Sequence, residues 1–132
     1  MAAEPSAYAD RIESMVERYR GDRAAFEEAA PLAAVPDEDR AMRYLREGLG
    51  PTVMIYVDAR ANDWGVEFAE CEFDLLHRAL NGYLELYGRC YGVELDAAFT
   101  VREAAELLID THNVKDVAAM LTSVPDRTAA AD

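Results

Sequence analysis

Cysteine is scarce in this chain, and its scarcity argues against both a disulfide within the chain and a structural zinc site. There are two cysteines, Cys71 and Cys90. A single helix is predicted to carry both, which would hold them roughly 28 Å apart at 1.5 Å per residue, too far for a disulfide within one chain. Two cysteines at this spacing also form no zinc motif. We therefore expect free thiols in a reducing compartment.

Long apolar runs are also missing. The longest uncharged stretch, GLGPTVMIYV at 48–57, is far shorter than the roughly 20 residues that a membrane helix requires. The first ten residues, MAAEPSAYAD, contain no apolar core of the kind found in export signals. These shortages predict a cytoplasmic protein with no membrane partner.

Positive charge is limited: 26 acidic residues stand against 13 basic ones, for a net charge of -13, and Lys115 is the one lysine. Such a surface repels itself in dilute buffer, whereas salt near 1 M shortens the Debye length to about 3 Å and removes the repulsion. The acidic, lysine-poor and alanine-rich composition resembles that of cytosolic proteins from salt-accumulating halophiles. That resemblance implies a protein adapted to concentrated salt. An acidic protein of a mesophile is the alternative.

Hydrophobic periodicity predicts an all-α fold, a single-domain bundle of five or six helices around a long central helix at about 66–91. Residues 1–124 would form the bundle, and residues 125–132 a flexible C-terminal tail. Helices are predicted at about 5–30, from the cap Asp37 to Gly48–Gly50, at 100–110, and from the cap Asn113 to a point before Pro125. The start at residue 100 is marked by the capping box TVRE, Thr100 to Glu103.

Residues 51–61 fit two structures. Val53, Ile55 and Val57 alternate as in a strand, whereas Val53, Tyr56 and Arg60 lie on one face of a helix. Because no other segment has the pattern of a strand partner, a strand here would leave its hydrogen bonds unpaired. We therefore predict a helix.

The central helix has an apolar arc of about 180°, wide enough to contact more than one neighbour. Three tyrosines step along it by four residues: Tyr83, Tyr87 and Tyr91. Aromatic rings with a polar end are common at interfaces, so this stripe predicts self-association, with the rim of the protein's own core as the alternative. Glu72 also falls within the arc. It is expected to reach solvent or the amide end of its helix, and the less favoured alternative is a buried carboxylate with a raised pKa.

One face of the same helix carries possible metal ligands. Glu70, Asp74 and His77 stand at i, i+4 and i+7, and Asp110 with His112 would complete a cluster from a turn. This pattern would suit a metal-dependent enzyme. The alternative is a solvated polar face, which would include Asn81 and Glu85, and we prefer it because a bundle metal site needs ligand pairs from a second helix.

The stretch FTVREAAELL at 99–108 resembles the opening of the helix-turn-helix in phage excisionases and in regulators of the mercury-resistance class. The resemblance extends loosely over residues 99–121 and implies binding to duplex DNA. However, the turn IDTHN has no glycine, and the second helix offers Lys115 beside Asp116. The positive charge that supplies most affinity for DNA phosphates is therefore missing.

No nucleophile with a base, phosphate-binding glycine loop or complete metal motif is visible in the sequence. We therefore predict a small non-enzymatic binding or regulatory protein without a cofactor, acting through self-association or a protein partner. A helix-turn-helix regulator and a metal-dependent enzyme are the alternatives.

Overall fold

The computed structural model describes residues 7–29, 36–62 and 68–124, and these confirm the all-α single-domain bundle. The described elements are α1 (Ala9–Glu28), α2 (Glu38–Tyr44), a π-helical turn (Leu45–Leu49), α3 (Gly50–Asn62), α4 (Glu70–Cys90), α5 (Val101–Thr111) and α6 (Val114–Thr122). None of the helices in these three ranges is long and apolar enough to cross a membrane. The predicted tail at 125–132 lies outside the described residues.

The helix that begins at Glu38 does not stop at the glycines, contrary to our prediction. It passes through the π-helical turn and continues as α3, so that residues 38–62 form one interrupted helix. Gly50 keeps helical angles, φ -56° and ψ -55°, and its N–H bonds the carbonyl of Leu45. The lack of a side chain at Gly48 leaves room for the ring of Tyr83, which a Cβ at this position would overlap. The prediction that residues 51–61 are helical is confirmed.

The predicted caps are present. The carboxylate of Asp37 accepts from the N–H of Arg40 at 3.2 Å, and the side chain of Asn113 accepts from two amides of α6. Thr100 and Glu103 form the complete capping box. α4 ends at Cys90. Gly92, two residues further on, has a left-handed φ of 76°, and the hydrogen bonds from Gly92 and Val93 back to the last turn are typical of a Schellman motif. α4 begins at Glu70, later than predicted, because Ala69 is extended.

The contacts give the direction of the long helices. α1 and α4 run parallel, since Tyr8 packs on Phe68 near their starts and Tyr19 packs on Tyr83 further along. The interrupted helix 38–62 runs the opposite way: the N–H of Asp37, just before it, bonds the carbonyl of Cys90 at 2.8 Å. α4 is therefore covered along its length by two neighbours. The α5–α6 hairpin packs on α3 and the π-helical turn.

The connection between α4 and α5 lies back along α4. Its inward side chains are half-buried and alternate with exposed ones; they are Val93, Leu95, Ala97 and Phe99. Asn81 bonds both the N–H and the C=O of Phe99, at 2.8 and 3.0 Å, and Glu85 accepts from the N–H of Ala97 at 3.1 Å. Two residues of the extended connection span about 6.6 Å, close to the rise of about 6 Å over four residues of α4. Side chains four residues apart on α4 therefore reach backbone groups two residues apart on the connection. The face of α4 at 81 and 85 is therefore covered, and our prediction of a solvated face is wrong there.

Candidate functional site

The tyrosine stripe lies inside the protein. Tyr83 and Tyr87 are fully buried, and Tyr91 is 6 % exposed. The hydroxyl of Tyr83 donates to Asp22 at 2.7 Å, and that of Tyr87 to the carbonyl of Val124 at 2.8 Å. Burial and the bond to Asp22 raise the pKa of Tyr83. The prediction that these rings form an association surface is wrong, because α1 and the interrupted helix 38–62 cover both sides of the wide apolar arc.

The possible metal ligands do not converge. Glu70 and Asp74 are exposed, and the half-buried ring of His77 stacks on Phe73 with centroids 6.1 Å apart. His112 is exposed at the C-terminus of α5. In the three described ranges no three histidine, cysteine or acidic side chains are arranged to hold a metal ion. The carboxylate of Glu72 accepts from the N–H of Ala69 at 2.8 Å, which confirms that it reaches the amide end of its helix.

The hairpin at 101–122 has a sharp turn despite its lack of glycine. His112 adopts the left-handed conformation, with φ 53°, that glycine often supplies. Val117 of α6 is buried, Val114 and Leu121 are half-buried, and Lys115 and Asp116 are exposed. The outward face of α6 therefore pairs one positive with one negative charge, which leaves it without net attraction for phosphates.

A cleft runs between α1 and α4, and we call it the arginine cleft. It consists of two adjoining cavities of about 450 and 350 Å³ that share Tyr19 and Arg23. The outer cavity is lined by Arg20, Arg23, Ala24, Glu27 and Arg78, and the inner one by Gly82, Glu85, Leu86, Arg89, Glu94 and Leu95. The helices present these residues together because α1 and α4 are parallel and the 93–99 connection closes the inner end.

Ion pairs and an aromatic contact position the arginines of the cleft. Arg23 bonds Glu27 at 3.2 Å, which raises the pKa of the guanidinium, and lies 3.5 Å from the hydroxyl of Tyr19. Arg89 lies over the ring of Phe26, 4.4 Å from its centroid. The sequence by itself does not indicate this site. Arg20 and Arg23 share a face of α1 by their spacing, but only the packing of α1 on α4 brings them opposite Arg78.

A second depression lies between α3 and α5, and we call it the Ile109 groove. It has a volume of about 310 Å³, and its lining is Tyr56, Val57, Arg60, Ala61, Arg102, Ala105, Glu106 and Ile109. The side chain of Ile109 is 57 % exposed, and the guanidinium of Arg60 lies 5.2 Å from the centroid of the Tyr56 ring. Arg102 pairs with Glu106 at 3.3 Å. The groove thus has an apolar centre and charges of both signs at its rim.

The comparisons with known proteins identify a family without adding an activity. No curated protein matches the chain, and no solved structure does. One family model matches residues 6–126 of the 132-residue chain, and the chain therefore belongs to the family described as "Domain of unknown function (DUF8055)".

Proposed function

We propose that this protein is a non-enzymatic binding or regulatory module that associates with a second copy of itself through the Ile109 groove. The observation that carries the proposal is the 57 % exposure of Ile109 in an apolar depression. A large aliphatic side chain gains about 1.5–3 kcal/mol when it is fully buried. Covering this side chain is therefore favourable.

The charges around the groove suit a second copy. A two-fold interface places the same patch on both subunits, so the patch must complement itself. Arg102 and Glu106 lie on one face of α5, and an antiparallel α5 from another copy would bring each beside its opposite charge. Two arginines and one glutamate line the groove, whereas the whole chain carries -13. Self-repulsion is therefore smaller at this face than the composition predicts for the surface as a whole.

Ile109→Asp tests the interface, with Met120→Asp as the matched control. Met120 is 58 % exposed, almost the same as Ile109, but it lies on α6 and does not line the groove. We expect a dimer in 1 M potassium chloride whose dissociation constant rises about tenfold or more in Ile109→Asp, because a charge at a central apolar contact is desolvated. Met120→Asp should associate like the parent protein. Sedimentation equilibrium measures both constants.

Two results would contradict the proposal. One is a monomer at every accessible concentration in 1 M potassium chloride. The other is an equal loss of association in both variants, which would place the interface elsewhere. Sequence-specific protection of duplex DNA in the same salt, abolished in Lys115→Ala, would instead favour the helix-turn-helix alternative.

A further inference from the structure

We propose that the arginine cleft binds a small oxyanion with at least two negative charges, of the phosphate or polycarboxylate class. The cleft is distinct from the Ile109 groove and lies between different helices. Its two cavities, of about 450 and 350 Å³, fall in the range of small-molecule sites, roughly 300–1,000 Å³.

The charge of the outer cavity is opposite to that of the chain. Arg20, Arg23 and Arg78 line it against one carboxylate, Glu27, in a chain with a net charge of -13. Guanidinium groups present paired N–H donors that match the oxygens of phosphate and carboxylate groups. Three of them around one concave space form a local attraction for anions that the rest of this acidic surface would repel.

The arginines of the outer cavity are available to a ligand to different degrees. Arg78 is exposed, and in the three described ranges no ion pair engages it. Arg20 pairs with Glu17 at 3.0 Å, but their side chains are 54 % and 72 % exposed, and such surface pairs contribute about 0–1 kcal/mol. A multiply charged anion can therefore replace Glu17 as the partner of Arg20 at small cost.

The floor of the cleft is held in place. Tyr19 is 6 % exposed, and its ring lies against Gly82, where a Cβ would overlap it. Its hydroxyl accepts from Arg23, which Glu27 also holds. A fixed floor lowers the ordering cost of binding, while Arg78 and Arg20 contact the ligand from the two helices.

The inner cavity has a different character and limits the size of the anion. Two carboxylates, Glu85 and Glu94, line it with two arginines, Arg23 and Arg89, so it offers no net attraction to a second anionic group. We therefore assign the oxyanion to the end of the cleft at Arg78, with the uncharged remainder of a longer ligand directed towards Leu86.

Calorimetric titration of the full chain tests the assignment, with pyrophosphate and citrate as separate probes at a potassium chloride concentration in which circular dichroism shows the helical fold. We expect saturable binding of at least one probe. The dissociation constant should be about tenfold larger in Arg78→Ala, because a charge-assisted contact is lost. Tighter binding of pyrophosphate indicates a phosphate ligand, and tighter binding of citrate a carboxylate ligand.

Arg46→Ala is the matched control. Arg46 is an exposed arginine of the π-helical turn that does not line the cleft, so this variant changes the net charge equally and should bind like the parent protein. Should Arg78→Ala lose the helical signal, Arg20→Ala replaces it under the same criterion. No saturable binding of either probe, or equal weakening in Arg46→Ala, overturns the proposal.

Discussion

At the scale of single residues, two helical glycines are expected to respond in opposite ways to the same change. A methyl group at Gly82 would overlap the ring of Tyr19, whereas nothing lies within 4 Å of the Cβ position of Gly21 on α1. We expect Gly82→Ala to lower the free energy of unfolding by about 1–3 kcal/mol, as overpacked sites do. Gly21→Ala should raise it by up to about 1 kcal/mol, because alanine favours helix. Urea unfolding measures both, and shifts of the same sign would contradict the packing described.

The two cysteines also differ at this scale. Cys71 is exposed and Cys90 is buried. Burial raises the pKa of the Cys90 thiol from 9.0 to about 11, and the carboxylate of Asp37 adds to the effect. Since the thiolate is the reactive form, iodoacetamide should alkylate Cys71 in the native protein at pH 8 and reach Cys90 only after unfolding. Mass spectrometry of the labelled protein identifies the sites, and rapid labelling of Cys90 would contradict its burial.

The raised pKa of Cys90 has a consequence for stability. The folded protein retains a thiol proton that the unfolded chain releases, so the unfolded state binds fewer protons in alkaline solution. The contribution of Cys90 to stability is therefore complete below about pH 9 and is lost as the pH rises through about 11. Urea unfolding across this window should show a smaller decline in Cys90→Ala than in the parent protein. An equal decline of the free energy of unfolding with pH in both proteins would exclude Cys90 as its cause.

At the scale of elements, Asn81 joins the 93–99 connection to α4. Asn81→Ala removes the partners of both the N–H and the C=O of Phe99. We expect the free energy of unfolding to fall by about 1–3 kcal/mol, the cost of leaving partly buried polar groups unpaired. Hydrogen exchange at the Phe99 amide should become faster. Asp74→Ala, an exposed change on the same helix, is the control and should leave that exchange rate unchanged; a similar acceleration in both variants would argue against the pairing.

At the scale of the whole molecule, repulsion among carboxylates dominates the electrostatics. The ion pairs of the described residues all involve side chains at least 34 % exposed, and such pairs contribute little. They do not offset a net charge of -13. If the acidic surface is a halophilic adaptation, the thermal midpoint should rise by about 5 °C or more between dilute buffer and 1 M potassium chloride. A midpoint that is constant over this range, followed by circular dichroism, would exclude the halophilic interpretation.

The features that could be predicted from the sequence are those in which a residue acts on its near neighbours. Asp37, Thr100 and Asn113 cap helices through amides two or three residues further on, so the pattern that predicts the cap contains all its participants. The helical class follows from periodicities of the same short range. The alternation of Val93, Leu95, Ala97 and Phe99 is equally local and is typical of an extended segment with one covered side.

The surfaces open to a partner depended on packing between distant segments. The sequence of α4 predicts its wide apolar arc. A helix wheel does not distinguish two neighbours within the subunit from one neighbour in the subunit and one in a second copy. In the structure both neighbours, α1 and the interrupted helix 38–62, belong to the same subunit. The sequence predicts a solvated side chain at Asn81 because asparagine is polar. Its hydrogen-bond partner, the backbone of Phe99, lies 18 positions further along the chain, outside the helix that carries Asn81. Arg78 faces Arg20 because α1 and α4 run parallel. Such pairings depend on how all the helices together bury their apolar faces in one core. A short window of sequence contains only one of those helices and therefore does not determine them.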